Sequence, residues 1–239
     1  MKRLRILPQP DDVTCGPTCL HAIYQFYHHE VTLDQVIAEV RYLPSGGTLG
    51  VYLGLHALQQ GFNATINVIN LEVFDPTWFV GEVNLIEKLS EQLRYKKNAK
   101  MRLASEAFIE FLQKGGAVIS HDISSHLLKA AFAKNIPVLT GLSSTYLYRC
   151  AREVTTEQDR SYYDDVKGEP SGHFVVLNGY KRNSKSIVVA DPYAGNPLAG
   201  NSFYQVQVSH LINAIMLGAL TYDTNLMFIT PKNKKGLYA

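Results

Sequence analysis

Residues 12–28 read DVTCGPTCLHAIYQFYH, and this stretch decides the fold because it places a cysteine at the start of a helix. From Cys15 onward, apolar residues recur three and four positions apart, at Cys19, Ala22, Ile23, Phe26 and Tyr27. This spacing predicts a helix with one buried face. At the first helical turn, unpaired backbone N–H groups and the positive end of the helix dipole favour a reactive thiolate.

A second stretch, residues 172–192, reads GHFVVLNGYKRNSKSIVVADP. Two apolar runs, His173 to Tyr180 and Ile187 to Ala190, flank a polar loop, which is the pattern of a β-hairpin. His173 opens the first run and Asp191 follows the second, so strand pairing would make the two side chains neighbours. Asp191 can then accept a hydrogen bond from one imidazole nitrogen while the other nitrogen faces a thiol.

Gln9 completes this group of residues. It lies six positions before Cys15, so its amide can reach the same helix end and join the Cys15 backbone N–H in binding an oxyanion. The four residues predict acyl transfer through a thioester, with peptide or isopeptide hydrolysis as the favoured reaction. The same residues also permit a transpeptidase, a deamidase or an acyltransferase, and a catalytically silent binding module remains a further alternative.

Three segments together resemble the C39-like branch of the papain-like cysteine peptidases: Gln9 with Asp12 to Leu20, Gly172 to Tyr180, and Asp191 to Tyr193. The resemblance implies an α+β papain-like fold, in which a helical lobe with the Cys on a helix N-terminus packs against an antiparallel β-sheet lobe carrying His and Asp. It also implies a role for each residue: Gln9 as oxyanion donor, Cys15 as nucleophile, His173 as general base and acid, and Asp191 as the residue that orients His173.

The sequence departs from the best-known members of that family. Those members are fused to membrane exporters and trim leader peptides after a double glycine, whereas this chain contains no transporter, so double-glycine specificity does not carry over. Residues from about 70 to 116 form an additional helical segment without a counterpart, and substrate choice is a candidate role for it.

The predicted organisation is one domain over residues 1–239, mainly helical in 1–116 and mainly β in 117–239. A capping box of Thr32 and Gln35 opens a second helix, which is predicted to run through Val40. The polar, tyrosine-rich region from Tyr146 to Pro170 is predicted to be a long loop. This region contains four tyrosines that either line a cleft or are ordinary surface residues: Tyr146, Tyr148, Tyr162 and Tyr163.

The composition of the chain limits the classes of partner that it can bind. A net charge of +2 with 18% charged residues gives no electrostatic footprint for nucleic acid, and the apolar runs are too short to span a membrane. Three cysteines and the absence of a signal-peptide pattern predict a cytoplasmic protein without a disulfide framework. The expected partner is a peptide or protein substrate, no cofactor is expected, and the oligomeric state stays open.

Other candidate ligand residues receive simpler interpretations. His121, Asp122 and His126 are close in sequence, but they do not share one helical face and no tetrahedral set is complete, so no metal is predicted. Cys19 and Cys150 are predicted to be small apolar side chains.

Overall fold

A computed structural model describes residues 4–44, 46–155, 161–218, 224–234 and 236–237. The helices are α1 Cys15–Phe26, α2 Leu33–Glu39, α3 Gly50–Gln59, α4 Leu85–Tyr95, α5 Ala99–Gln113, α6 Ser125–Ala133, α7 Ser144–Tyr148 and α8 Val208–Leu217. The strands are β1 Phe62–Val68, β2 Ala117–Ile119, β3 Val138–Ser143, β4 Glu153–Thr155, β5 Ser161–Tyr163, β6 Gly172–Lys181, β7 Ser186–Ala190, β8 Phe203–Gln207 and β9 Asn225–Pro231.

Within these described residues, seven strands form one sheet in the order β2-β1-β9-β3-β6-β7-β8. β1 and β2 run parallel, and the other neighbouring pairs are antiparallel. The short strands β4 and β5 pair with each other outside this sheet. The predicted hairpin is confirmed as β6 and β7, in which Val176 lies opposite Ala190.

Both faces of the sheet are covered. Phe174 and Val176 of β6 belong to a core that includes α1, α3 and α5, whereas Val175 and Leu177 belong to a second core that includes α6 and α8. Successive side chains of a strand point to opposite faces, so a strand buried on both faces has a continuous apolar sequence. This burial explains the unbroken apolar run in β6.

The expected α+β class is confirmed, with a cysteine at a helix start packed against a mostly antiparallel sheet. The Thr32 and Gln35 capping box is also present: the Thr32 hydroxyl accepts from the Gln35 N–H at 3.2 Å, and Gln35 Oε1 accepts from the Thr32 N–H at 3.0 Å. The sheet takes β1 from the first half of the chain, so the described strands are not confined to residues 117–239. The division at residue 116 stays a prediction.

The prediction of a long loop from Tyr146 to Pro170 was wrong in part. This region contains the end of α7 and the β4–β5 hairpin, while residues 156–160 lie outside the part described. The elements are three to five residues long, so no periodic pattern can develop in the sequence. α7 is instead set by a local contact, since the Ser143 hydroxyl accepts from the Tyr146 N–H at 3.3 Å.

The additional helical segment forms α4 and α5, and both helices begin with an asparagine whose side chain accepts from the first turn, Asn84 and Asn98. α5 packs closely on α3, where a Cβ added to Gly54 would lie 2.9 Å from the Phe111 ring. The segment is therefore part of the first core. None of the described helices is long and apolar enough to cross a membrane.

Candidate active site

Cys15 begins α1 and is half-buried. The next residue, Gly16, lies so close to its neighbours that an added Cβ would be 2.7 Å from the Thr48 methyl group. The tight contact fixes the first turn of α1 against the loop before α3. All three cysteines are free thiols, which leaves the Cys15 thiol available for chemistry.

His173 lies near the start of β6, opposite Leu142 of β3, and 9% of its surface is exposed. Its Nε2 is 2.8 Å from Asp191 Oδ1. The Cys15 side chain acts on the same imidazole, by its charge and as a hydrogen-bond partner, and both effects raise the pKa of His173. Helix α1 and the β6–β7 hairpin thus bring Cys15, His173 and Asp191 together.

Asp191 has no exposed surface and accepts four hydrogen bonds from described residues. Oδ1 accepts from His173 Nε2 at 2.8 Å and from the Tyr193 N–H at 2.9 Å. Oδ2 accepts from the Tyr148 hydroxyl at 2.9 Å and from the Tyr204 hydroxyl at 2.6 Å. A carboxylate has room for about four donors, so this one is fully hydrogen-bonded although it is buried.

The two buried groups hold each other in their charged forms. Burial lowers the pKa of His173, but the negative charges of Asp191 and Cys15 and the hydrogen bonds to both outweigh burial, and the net pKa is raised. Burial raises the pKa of Asp191, yet the His173 charge and the hydrogen bonds from His173, Tyr204 and Tyr193 bring it below its ordinary value. The arrangement favours an imidazolium beside the Asp191 carboxylate.

Gln9 lies beside the same residues because its backbone N–H donates to the Pro192 carbonyl at 2.9 Å. Its Nε2 donates to the Asp11 carbonyl at 2.7 Å, and its buried Oε1 has no partner in the described structure. A primary amide has two N–H groups, so one donor is left after the bond to Asp11. Gln9 is therefore placed near the site with one of its donors already used.

A groove of about 210 Å³ meets the site at Gln9 and His173. Its wall includes two carboxylates and four tyrosines: Asp12, Glu153, Tyr148, Tyr162, Tyr163 and Tyr193. Three of the four tyrosines singled out in the sequence line this groove, whereas Tyr146 stacks on His210 with ring centroids 4.9 Å apart. Cys15 and the helical segment 70–116 contribute none of its described lining residues.

The Cys19 thiol lies in different surroundings from that of Cys15. Cys19 is fully buried, and its Sγ lies 3.2 Å from the Phe174 carbonyl oxygen. Burial raises the pKa of the Cys19 thiol, and the neighbouring Cys15 and Asp191 charges raise it further.

The described residues contain no group of three or more His, Cys, Asp and Glu side chains that could hold a metal ion.

The two tyrosines on Asp191 differ in how visible they are in the sequence. Tyr148 was a cleft candidate without an assigned partner, and Tyr204 carried no signal because β8 was not predicted. In the structure Tyr204 lies opposite Val189 of β7, next to the strand end that carries Asp191. A prediction of β8 and its register would have been the signal for this contact.

A cysteine at a helix start that faces a histidine and an aspartate on a packed sheet defines the papain-like class. The chain belongs to the Peptidase_C39 like family, whose model matches residues 1–207. The resemblance stated from the sequence is thereby confirmed.

The solved structures that match this chain are distant in sequence. The peptidase domain of Streptococcus ComA, a bi-functional ABC transporter involved in quorum sensing, has 11% identity and a TM-score of 0.46 over 96% of this chain and 100% of that chain. A Bacillus anthracis protein described as a C39-like peptidase has 13% identity and a TM-score of 0.49 over 98% of both chains. Xylellain, a cysteine protease from Xylella fastidiosa, has 15% identity and a TM-score of 0.39 over 95% and 87%. No curated protein sequence matches this chain significantly.

Proposed function

We propose that this protein is a cysteine peptidase that hydrolyses peptide or isopeptide bonds through a thioester on Cys15. The observation that carries the proposal is the His173 imidazole, whose Nε2 lies 2.8 Å from Oδ1 of the buried Asp191 and whose other partner in the site is the Cys15 side chain. Membership of a peptidase family supports the same reaction.

In the first half of the reaction, the Cys15 thiolate attacks the carbonyl carbon of the substrate and the carbonyl electron pair moves onto oxygen. The Cys15 backbone N–H and the second amide hydrogen of Gln9 are the proposed donors to this oxyanion. As the tetrahedral intermediate collapses, the C–N bond breaks and the His173 imidazolium gives its Nδ1 proton to the leaving amine. The products are a free amine and a thioester.

In the second half, the neutral His173 imidazole takes a proton from water, and the resulting hydroxide oxygen attacks the thioester carbonyl. Collapse breaks the C–S bond, releases a carboxylic acid and returns Cys15 to the thiolate. Asp191 keeps its hydrogen bond to Nε2 throughout, so Nδ1 stays directed at the sulfur.

The experiment is a search for new amino termini. A peptide library is incubated with the wild type, Cys15→Ala and Cys150→Ser, and the released termini are labelled and identified by mass spectrometry. The wild type and the Cys150→Ser control should both cleave, because the hydrogen bonds described for Cys150 are with Thr145 and Tyr163, and Cys15→Ala should be silent. Cleavage that survives in Cys15→Ala would refute the proposal, and product formation only with an added amine acceptor would replace it with an acyltransferase.

A further inference from the structure

We propose that Tyr148 and Tyr204 are positioning residues, whose hydroxyls hold the buried Asp191 carboxylate ionised and aimed at His173. This proposal rests on the proposed function, since the carboxylate matters for chemistry only if His173 serves Cys15. It adds two residues from outside the β6–β7 hairpin to the proposed catalytic machinery.

The geometry carries the proposal. Tyr148 is the last residue of α7 and Tyr204 lies within β8, so the two hydroxyls reach Asp191 Oδ2 from separate elements, at 2.9 and 2.6 Å. Oδ1 is thereby left to His173 and the Tyr193 N–H. An ionised carboxylate without exposed surface would be strongly destabilised unless donors of this kind replaced water.

The two donors to Asp191 Oδ2 are neutral phenol hydroxyls, and their neutrality matters for His173. The titratable groups that act on Asp191 are His173 of β6, Cys19 of α1 and the two tyrosines. Among the described residues His173 is the cation that acts on this carboxylate. A lysine or arginine in place of the phenols would compete with His173 for the negative charge, whereas neutral hydroxyls stabilise the carboxylate and leave its charge to the imidazolium.

The two tyrosines are not equivalent as tests. The Tyr148 ring lies 6.1 Å from the His173 ring and lines the groove, so its replacement can also disturb substrate binding. Tyr204 is not among the described groove residues, which makes Tyr204→Phe the cleaner variant. Tyr24→Phe is a matched control, because the Tyr24 hydroxyl is also buried and bonded, at 2.7 Å to His56 Nδ1, on the helical side of the molecule.

The experiment is an NMR titration of the His173 side chain in the full-length wild type, Tyr204→Phe, Tyr148→Phe and Tyr24→Phe, with thermal unfolding as a check on the fold. Each variant on Asp191 should shift the His173 titration midpoint by at least about half a pH unit, since the carboxylate that loses a donor is hydrogen-bonded to His173 and hydrogen bonds to charged groups are worth that much or more. Tyr24→Phe should leave the midpoint unchanged. If Tyr204→Phe destabilises the fold, Tyr148→Phe gives the same reading from an independent element.

The kcat and KM of peptide cleavage provide a second test of the positioning role. Tyr204→Phe should lower kcat with little change in KM, because it alters the state of His173 and not the groove. A His173 midpoint equal to that of the Tyr24→Phe control would overturn the positioning role, even in an active peptidase. A shifted midpoint in a protein that cleaves nothing would uphold the link to His173 and refute the proposed function instead.

Discussion

Asp191 is a carboxylate with no exposed surface, and its state depends on the donors around it. Its strongest electrostatic partner is His173, whose pKa it raises in turn. The pair explains how a histidine on a buried strand can remain protonated at neutral pH. The proposed role of His173 as the acid that protonates the leaving amine depends on that proton.

The first prediction concerns the alkaline limb of the pH–rate profile. The pKa of His173 is raised, so the imidazolium persists above the ordinary histidine value and is lost only as the pH rises through the raised pKa. Asp191→Asn removes the charge that supports it, and the alkaline limb of kcat should move to lower pH by about 1–3 units. The measurement is kcat against pH for both proteins, and an unchanged alkaline limb would contradict the assigned role of Asp191.

At this scale the sequence revealed the residues that belong to short, specific segments. Cys15, His173 and Asp191 each have a local setting, a helix start or a strand end, that can be recognised without a structure. Tyr204 has no such setting, since its contact with Asp191 depends on how β8 pairs with β7. The position of Tyr204 beside Asp191 follows only once the pairing of β8 with β7 is known.

At the scale of single elements, α1 and its contacts determine where Cys15 lies. Gly16 is surrounded by the Thr48 methyl group at 2.7 Å and by side-chain carbons of Leu53 and Phe174, each at 3.2 Å, measured from an added Cβ. The absence of a side chain at this position lets the helix start approach both the loop and the sheet. The position of Cys15 beside His173 follows from this packing.

Gly16→Ala should therefore destabilise the protein and slow the reaction of Cys15. Alanine gains up to about 1 kcal/mol in helix propensity, but overpacking of this site should cost about 1–3 kcal/mol. The free energy of unfolding is measured by denaturant titration.

A second substitution isolates the cause. Thr48→Ser removes the methyl group that a Cβ at position 16 would meet. It keeps the hydroxyl that donates to the Arg41 carbonyl at 2.7 Å. Gly16→Ala should cost less in the Thr48→Ser background than in the wild type. Equal costs in the two backgrounds would show that the contact with Thr48 does not set the position of α1.

In the first 113 residues, helices with amphipathic patterns or side-chain caps were predictable, whereas several elements of the second half were not. The helices of the first 113 residues follow their sequence periodicity, and α2 also carries its capping box. α7, β4 and β5 are too short for a pattern, and α8 lay in a region predicted to be mainly β although Leu211, Ala214 and Ile215 form its buried face.

At the scale of the whole molecule, the groove gathers residues from distant parts of the chain, from Gln9 to Tyr193. Its described wall includes the carboxylates of Asp12 and Glu153, the His173 imidazole and no lysine or arginine, so acidic groups outnumber cationic ones. Charges of one sign in a cleft concentrate ligands of the opposite sign. The groove should therefore favour cationic over anionic reagents on their way to Cys15.

A charged pair of thiol reagents tests this field without knowledge of the substrate. In a Cys150→Ser background, a haloacetamide with a trimethylammonium group should modify Cys15 faster than one with a sulfonate group, and the ratio should fall as salt is added. Asp12→Asn combined with Glu153→Gln should bring the ratio towards that of a small exposed thiol. A ratio that does not respond to the double substitution would rule out these carboxylates as its source.

The measurement that tests the central claim most directly is the rate of iodoacetamide reaction at each cysteine, followed by mass spectrometry from about pH 4 to 9 in the wild type and in His173→Ala. An ordinary cysteine thiol, with a pKa of about 8.5, is almost fully protonated at pH 6. We expect rapid modification of Cys15 at pH 6, ahead of Cys19 and Cys150, and loss of that rapid reaction in His173→Ala. Slow modification of Cys15, at a rate shared with Cys150 and unaffected by His173→Ala, would contradict the proposed thiolate–imidazolium pair.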